Sequence, residues 1–179
     1  MRRLKSVSVI LRDVKSGKEL KLQARAFHLD PYTHSGVFLD AIVKYAGMTV
    51  RGTTTLTKPY RIENDEDAAS VARLVIADFL KHLSSVVKSS RIAPELDRNA
   101  EWRIYIQSRT YHLYHAAQQC TFPLDLLEEA AEFGQYCSLL RFVFLHFLAG
   151  HEHCYADRLS VIAEQLLNSE KSRSRVVRL

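Results

Sequence analysis

Between Asp65 and Val87, apolar residues recur at positions 68, 71, 72, 75, 76, 79, 83, 86 and 87, the i, i+3, i+4, i+7 spacing of one long amphipathic helix. A stripe of that length must be buried against another layer, which constrains every fold open to the chain. The start is marked by Asn64 as a cap, with Asp65, Glu66 and Asp67 where the helix dipole favours anions. Lys81, His82 and Lys88 fall toward the opposite end, and the run from Ser89 to Pro94 breaks the pattern.

The residues before this helix read mainly as strands. Ser6 to Arg12 and Glu19 to Phe27 alternate as half-buried strands do, and the Ser16-Gly17 pair within Asp13 to Lys18 suits a hairpin loop. Leu29 to Ser35 reads as a loop. Val37 to Ala46, apolar at 38, 39, 42, 43 and 46, reads as a short helix that Gly47 would end. Thr49 to Thr57 is a Thr-rich strand with Arg51, Thr53, Thr55 and Thr57 on one face and Val50, Gly52, Thr54 and Leu56 on the other. Pro59 ends it.

Beyond the long helix, a second runs from Asp97 or Arg98 to Gln118, burying Trp102, Tyr105, Ile106 and Leu113. A third spans Leu124 to Ala149, apolar nearly all round toward its end, and a fourth spans Tyr155 to Leu167. Strands first and helices after define an α+β chain: a hairpin plus the Thr-rich strand, followed by a four-helix, mostly α region. The expected organisation is one domain over 1–168, strand-rich in 1–60 and helical in 64–168, with a flexible basic tail at 169–179.

At 179 residues, 47% apolar and 25% charged, the chain can form a core without staples. Cys120, Cys137 and Cys154 are widely spaced and form no C-x-x-C pair, which points to a reducing compartment and a cytoplasmic protein. The basic start, Met1 to Lys5, leads into no uninterrupted apolar segment, so no signal peptide is read. The most apolar window, Leu139 to Ala149, is interrupted by Arg141 and His146 and falls short of the roughly 20 residues a membrane span needs. No membrane association is expected.

Net charge is +5 and the sequence pI about 9.2. The positive residues gather in an N-terminal arm (Arg2, Arg3, Lys5), around Arg51, Lys58 and Arg61, and in the tail (Lys171, Arg173, Arg175, Arg178). That distribution suits a polyanion such as nucleic acid. The tail would contact phosphates, adding affinity without sequence information.

Catalytic and metal chemistry find less support. His146, His151, His153 and Cys154 lie close together, with His112 and His115 on another helix, but their spacing matches no structural zinc signature. There is no Gly-x-Ser-x-Gly, no activating signature around Cys120 and no glycine-rich phosphate loop. Glu128, Glu129 and Glu132 fit a solvated helix face. The expectation is therefore a binding protein with no metal or cofactor, not an enzyme.

Two features could touch nucleic acid directly. A two-stranded ribbon fits the major groove, where Arg reads guanine edges and Thr meets thymine methyls or phosphates, and Arg51, Thr53 and Thr55 would share one face of such a ribbon. The same strand reads equally as a solvent-exposed edge. Tyr105, Tyr111 and Tyr114, interleaved with Arg103 and Arg109, suit base stacking or, more simply, helix packing with snorkelling arginines.

The run Leu56-Thr57-Lys58-Pro59-Tyr60, then Ile76-Ala77-Asp78-Phe79-Leu80 in the long helix, then Leu96-Asp97-Arg98, is similar to AcaB-type transcriptional regulators of conjugative plasmids and integrating conjugative elements. The resemblance covers residues 49–118. It implies a homodimeric ribbon-helix-helix core with an extension, binding double-stranded DNA sequence-specifically to regulate transfer genes. In that scheme the strand Thr49 to Thr57 pairs across a two-fold axis, and the helix opening near Arg98 holds a phosphate. The DNA-contacting residues would be Arg51, Thr53, Thr55, Thr57, Lys58, Arg61, Arg98, Arg2, Arg3, Arg173 and Arg175. Two features depart from the scheme: the helix after the strand is about twice the length typical of that fold, and Lys58 to Asn64 intervene between strand and helix. The reading strand could instead be Ser6 to Arg12, with Arg12 as the reader. Two rival functions stay open: a helical adaptor binding protein through Leu124 to Leu167, and a metal-dependent enzyme using the histidines.

Overall fold

Strict alternation governs the first half of the chain. In the computed structural model, which describes residues 6–30, 34–90, 134–136, 138–148, 156–168 and 174–178, four strands follow one another. They are β1 (Ser6–Arg12), β2 (Glu19–Asp30), β3 (His34–Tyr45) and β4 (Met48–Lys58). Each is antiparallel to the next, and β5 (Ser174–Arg178) adds to β1 in parallel, giving the order β4-β3-β2-β1-β5. Val7, Val9 and Leu11 on β1, Leu20, Leu22, Ala24 and Ala26 on β2, and Val37, Leu39, Ala41 and Val43 on β3 are all buried on one face. At about 1.5–3 kcal/mol for each large aliphatic side chain withdrawn from water, this face anchors the fold.

The helices supply the second layer. α1 (Asp65–Ser90) buries Ala68, Ala72, Val75, Ile76, Phe79, Leu80 and Leu83, the stripe visible in the sequence. Its N-terminus is capped as expected: Asn64 Oδ1 accepts a hydrogen bond from the Asp67 amide at 2.9 Å, and Asp67 Oδ2 accepts one from the Glu63 amide at 3.0 Å. α2 comprises helical residues 138–143 and continues into a π-helical turn at Phe144–Leu148. It crosses the buried face of β4 at Gly52, where a Cβ would lie 3.0 Å from Leu139 Cδ1 and 3.1 Å from Phe142 Cγ. α3 (Ala156–Asn168) packs along α1 through Leu159, Ile162, Ala163 and Leu166, and the Ser84 and Ser160 hydroxyls meet at 2.9 Å.

The α+β class holds, and the strand region is larger than the sequence suggests. Val37 to Ala46, expected as a short helix, is most of β3. Its apolar residues occupy both faces, which mimics helical spacing, but the buried set 37, 39, 41 and 43 has period two. Ala46 (φ 48°) and Gly47 (φ 75°) form the two-residue loop to β4, because left-handed residues match the twist of the paired strands. The expected loop at Leu29 to Ser35 is likewise shorter, since β2 runs to Asp30 and β3 begins at His34. At the C-terminus, residues 174–178, expected within a flexible tail, form β5. The helix expected over Asp97 to Gln118, with its tyrosines and arginines, lies outside the described residues.

Candidate nucleic-acid interface

α1 and α2 pack against the sheet face built from Val7, Leu22, Leu39 and Leu56, with α3 behind α1, so the opposite face of β3 and β4 is left to side chains of other kinds. Thr49, Arg51, Thr53, Thr55 and Thr57 alternate along β4 and all are exposed. The register sets their neighbours: Thr55 stands beside Phe38 and Phe38 beside Arg25, Thr53 beside Asp40, Arg51 beside Ile42 and Ile42 beside Lys21, and Thr49 beside Lys44. Arg25, Lys44 and Arg51 are exposed cations on this surface.

Asp40 organises its centre. Its residue is only 5% exposed, yet its carboxylate accepts a hydrogen bond from Arg51 Nη2 at 2.7 Å on Oδ2 and one from Thr53 Oγ1 at 2.8 Å on Oδ1. A buried carboxylate is tolerated only with such partners. The Arg51 side chain remains 59% exposed, and a guanidinium has five N–H donors, so anchoring to Asp40 leaves donors for a further acceptor. Holding a long side chain in one geometry beforehand lowers the ordering cost of any contact it makes.

Phe27 and Phe38 form the apolar part of the same face. Their rings stack with centroids 4.6 Å apart and 27° between planes. Phe27 lies over Gly36, its partner on β3, and a Cβ at Gly36 would come within 2.3 Å of Phe27 Cζ. Glycine is therefore required at position 36 for the ring to lie flat. Phe38 is 40% exposed and, of the exposed large apolar residues described, the one on this face.

The expected contact residues divide among several places. Arg51, Thr53, Thr55 and Thr57 come together on the open face. Lys58 does not join them: it is 2% exposed on the helix side, its Nζ 3.8 Å from Asp78 Oδ2 and 5.7 Å from the centroid of the buried Tyr136 ring. It contributes there to a cleft of about 250 Å³ shared with Tyr60, Asp78, Lys81 and Leu167. The parity of the strand explains this, since position 58 falls on the buried side with Leu56. Arg61 is exposed beyond the end of β4 and pairs with Glu63 at 3.2 Å. Arg12, the alternative reader, pairs with Glu19 at 2.9 Å on β1, with β2 and β3 lying between it and β4. Arg175 occupies β5 opposite Val9. Arg2, Arg3, Arg98 and Arg173 lie outside the described residues.

Sequence reasoning missed Arg25, Phe27, Gly36, Phe38 and Asp40 as parts of one surface. The available signal was the alternation of Val37, Leu39, Ala41 and Val43, which a helical reading of that segment hides. Among the described residues, no group of three or more His, Cys, Asp or Glu is placed to hold a metal ion, and no helix is long and apolar enough to cross a membrane. His146 packs against the Phe142 ring at 4.6 Å, while His151, His153 and Cys154 lie outside the described residues. Compared with family models, curated proteins and solved structures, the chain matches none.

Proposed function

We propose that this chain is a nucleic-acid-binding protein that uses the open face of β3 and β4, in the role of a DNA-binding transcription regulator. The observation that carries the reading is the ladder Arg51-Thr53-Thr55-Thr57, exposed on a sheet face that also presents Arg25 and Lys44. Cations there neutralise phosphates and release condensed counterions, and hydroxyls donate to phosphate oxygens or base edges. The resemblance to regulators of mobile-element transfer genes supports DNA as the polymer, and the reading is of binding and not of catalysis.

A ribbon-helix-helix arrangement, the finer form of this proposal, needs β4 to pair with its counterpart in a second copy. β4 is the terminal strand in the sheet order, hydrogen-bonded to β3 on one side, so its other edge is where that pairing would form. Antiparallel pairing centred on Thr54 would set Thr53 opposite Thr55 and Arg51 opposite Thr57, keeping like charges apart. Light scattering on the 20.5 kDa chain should then report twice the monomer mass.

The deciding experiment is a binding titration with labelled DNA, duplex and single-stranded, over a series of salt concentrations. Affinity should fall linearly on logarithmic axes as salt rises, with a slope set by the number of phosphates neutralised. Failure of the chain to retain either form at low salt would refute the proposal.

A further inference from the structure

Resting on that reading, the aromatic pair on the open face narrows the kind of nucleic acid bound. We infer that Phe38, backed by Phe27, is a stacking platform for an unpaired base, so that the preferred ligand at this face is single-stranded or locally melted DNA.

One half-exposed phenyl ring on a sheet is ordinary by itself; what singles out Phe38, 40% exposed, is its stacked partner and its polar neighbours. Here the ring is also fixed. Phe27 stacks behind it at 4.6 Å, and Phe27 is itself laid flat over Gly36, where no side chain fits. A platform immobilised in advance loses little freedom when a planar ligand settles on it. The neighbours match a nucleotide: Arg25 and Thr55 flank Phe38 on the adjacent strands, both exposed, one cationic and one hydroxylic. The anchored Arg51 and Thr53 follow on the next outward positions of β4. A base on Phe38 would therefore have phosphate-binding groups on either side.

Intact duplex cannot use this platform. Its bases are stacked on one another and offer only their edges in the grooves, whereas a ring face accepts a base face. Stacking on aromatic side chains between backbone-binding cations is the general solution for single strands, and it tolerates any base because every base has a π-face.

The test compares an oligothymidine single strand with a mixed-sequence duplex of equal length, by fluorescence anisotropy at one salt concentration with the full chain. The single strand should bind more tightly, and Phe38→Ala should weaken it about tenfold while leaving the duplex unaffected. Phe38→Tyr should retain affinity. In Phe38→Trp, single-strand titration should quench emission beyond any change seen from Trp102 in the parent chain. Thermal melts of each variant establish that it is folded. Single-strand binding that Phe38→Ala does not weaken, with Arg51→Ala still weakening both forms, would overturn the platform and leave nucleic-acid binding standing. Equal or tighter duplex binding by the parent chain would likewise overturn it. Binding of neither form would remove the nucleic-acid reading and the platform with it, and would turn attention to an apolar protein partner for Phe38.

Discussion

Leu39 and Phe38 are consecutive residues of β3, both large and apolar, and they lie on opposite faces of one sheet. Leu39 is fully buried under the helices, among side chains that alternate with near-perfect regularity along β1, β2 and β3. Phe38 is 40% exposed, beside a glycine, a buried aspartate and an arginine. The helix side is mostly aliphatic, with a few polar groups such as Lys58 and Thr54 held by Asp78 and the Gln135 carbonyl. The open side mixes an aromatic pair, hydroxyls and cations around Asp40, an arrangement that packing would not select. Hydrophobic burial thus accounts for one face, and the other is the surface to which we assign the proposed ligand.

Mutations on the two faces should separate stability from binding. The largest effect is expected from Leu39→Ala, which should cost about 2–5 kcal/mol in denaturant unfolding, whereas Phe38→Ala should cost well under half as much. If the two cost the same, Phe38 is part of the core and the contrast fails. Lys58→Ala comes next. Removing a buried ammonium paired to Asp78 should destabilise by about 1–3 kcal/mol, with DNA affinity of the folded fraction unchanged. A lowered affinity would return Lys58 to the interface. Arg51→Ala should differ in touching binding: a loss of about 1–3 kcal/mol in affinity, accompanied by a loss of stability because, among the described residues, buried Asp40 keeps only Thr53 as a partner. Anisotropy and urea titrations on the same preparation would sharpen that split. The smallest effect is local: Ala46 holds a left-handed conformation at φ 48°, so Ala46→Asn should stabilise the β3–β4 hairpin by about 0.5–1 kcal/mol, measured as a raised midpoint in urea.

Legibility in the sequence followed the same division. α1 was readable to its cap, because a long single-period stripe with Asn64 and three acids at its start has one physical solution. The outward ladder of β4 was readable for a similar reason, since threonine and arginine alternate there with Val50, Gly52 and Leu56. β3 was not, because Phe38 and Ile42 on its open face fill the gaps between buried residues and imitate a helix. With β3 misread, Asp40 and the stacked pair had no face to belong to. Lys58 shows a different failure: its charge suggested the interface, while strand parity sent it to the core. β5 was obscured by composition, since Val176 and Val177 sit within a run of serine and arginine that resembles a solvated tail.

The pairing of β5 with β1 also sets an order of events during synthesis. β1 precedes β2 and finds it through a short hairpin, but its other edge waits for residues 166 positions later in the chain, Ser8 for Ser174 and Arg12 for Arg178. Contacts of such separation form late, because a long loop must close before they repay its entropy. Until then the Ser6–Arg12 segment, with Val7, Val9, Ile10 and Leu11, presents an unpaired edge on the growing polypeptide, the kind of surface that chaperones shield and that neighbouring nascent chains invade.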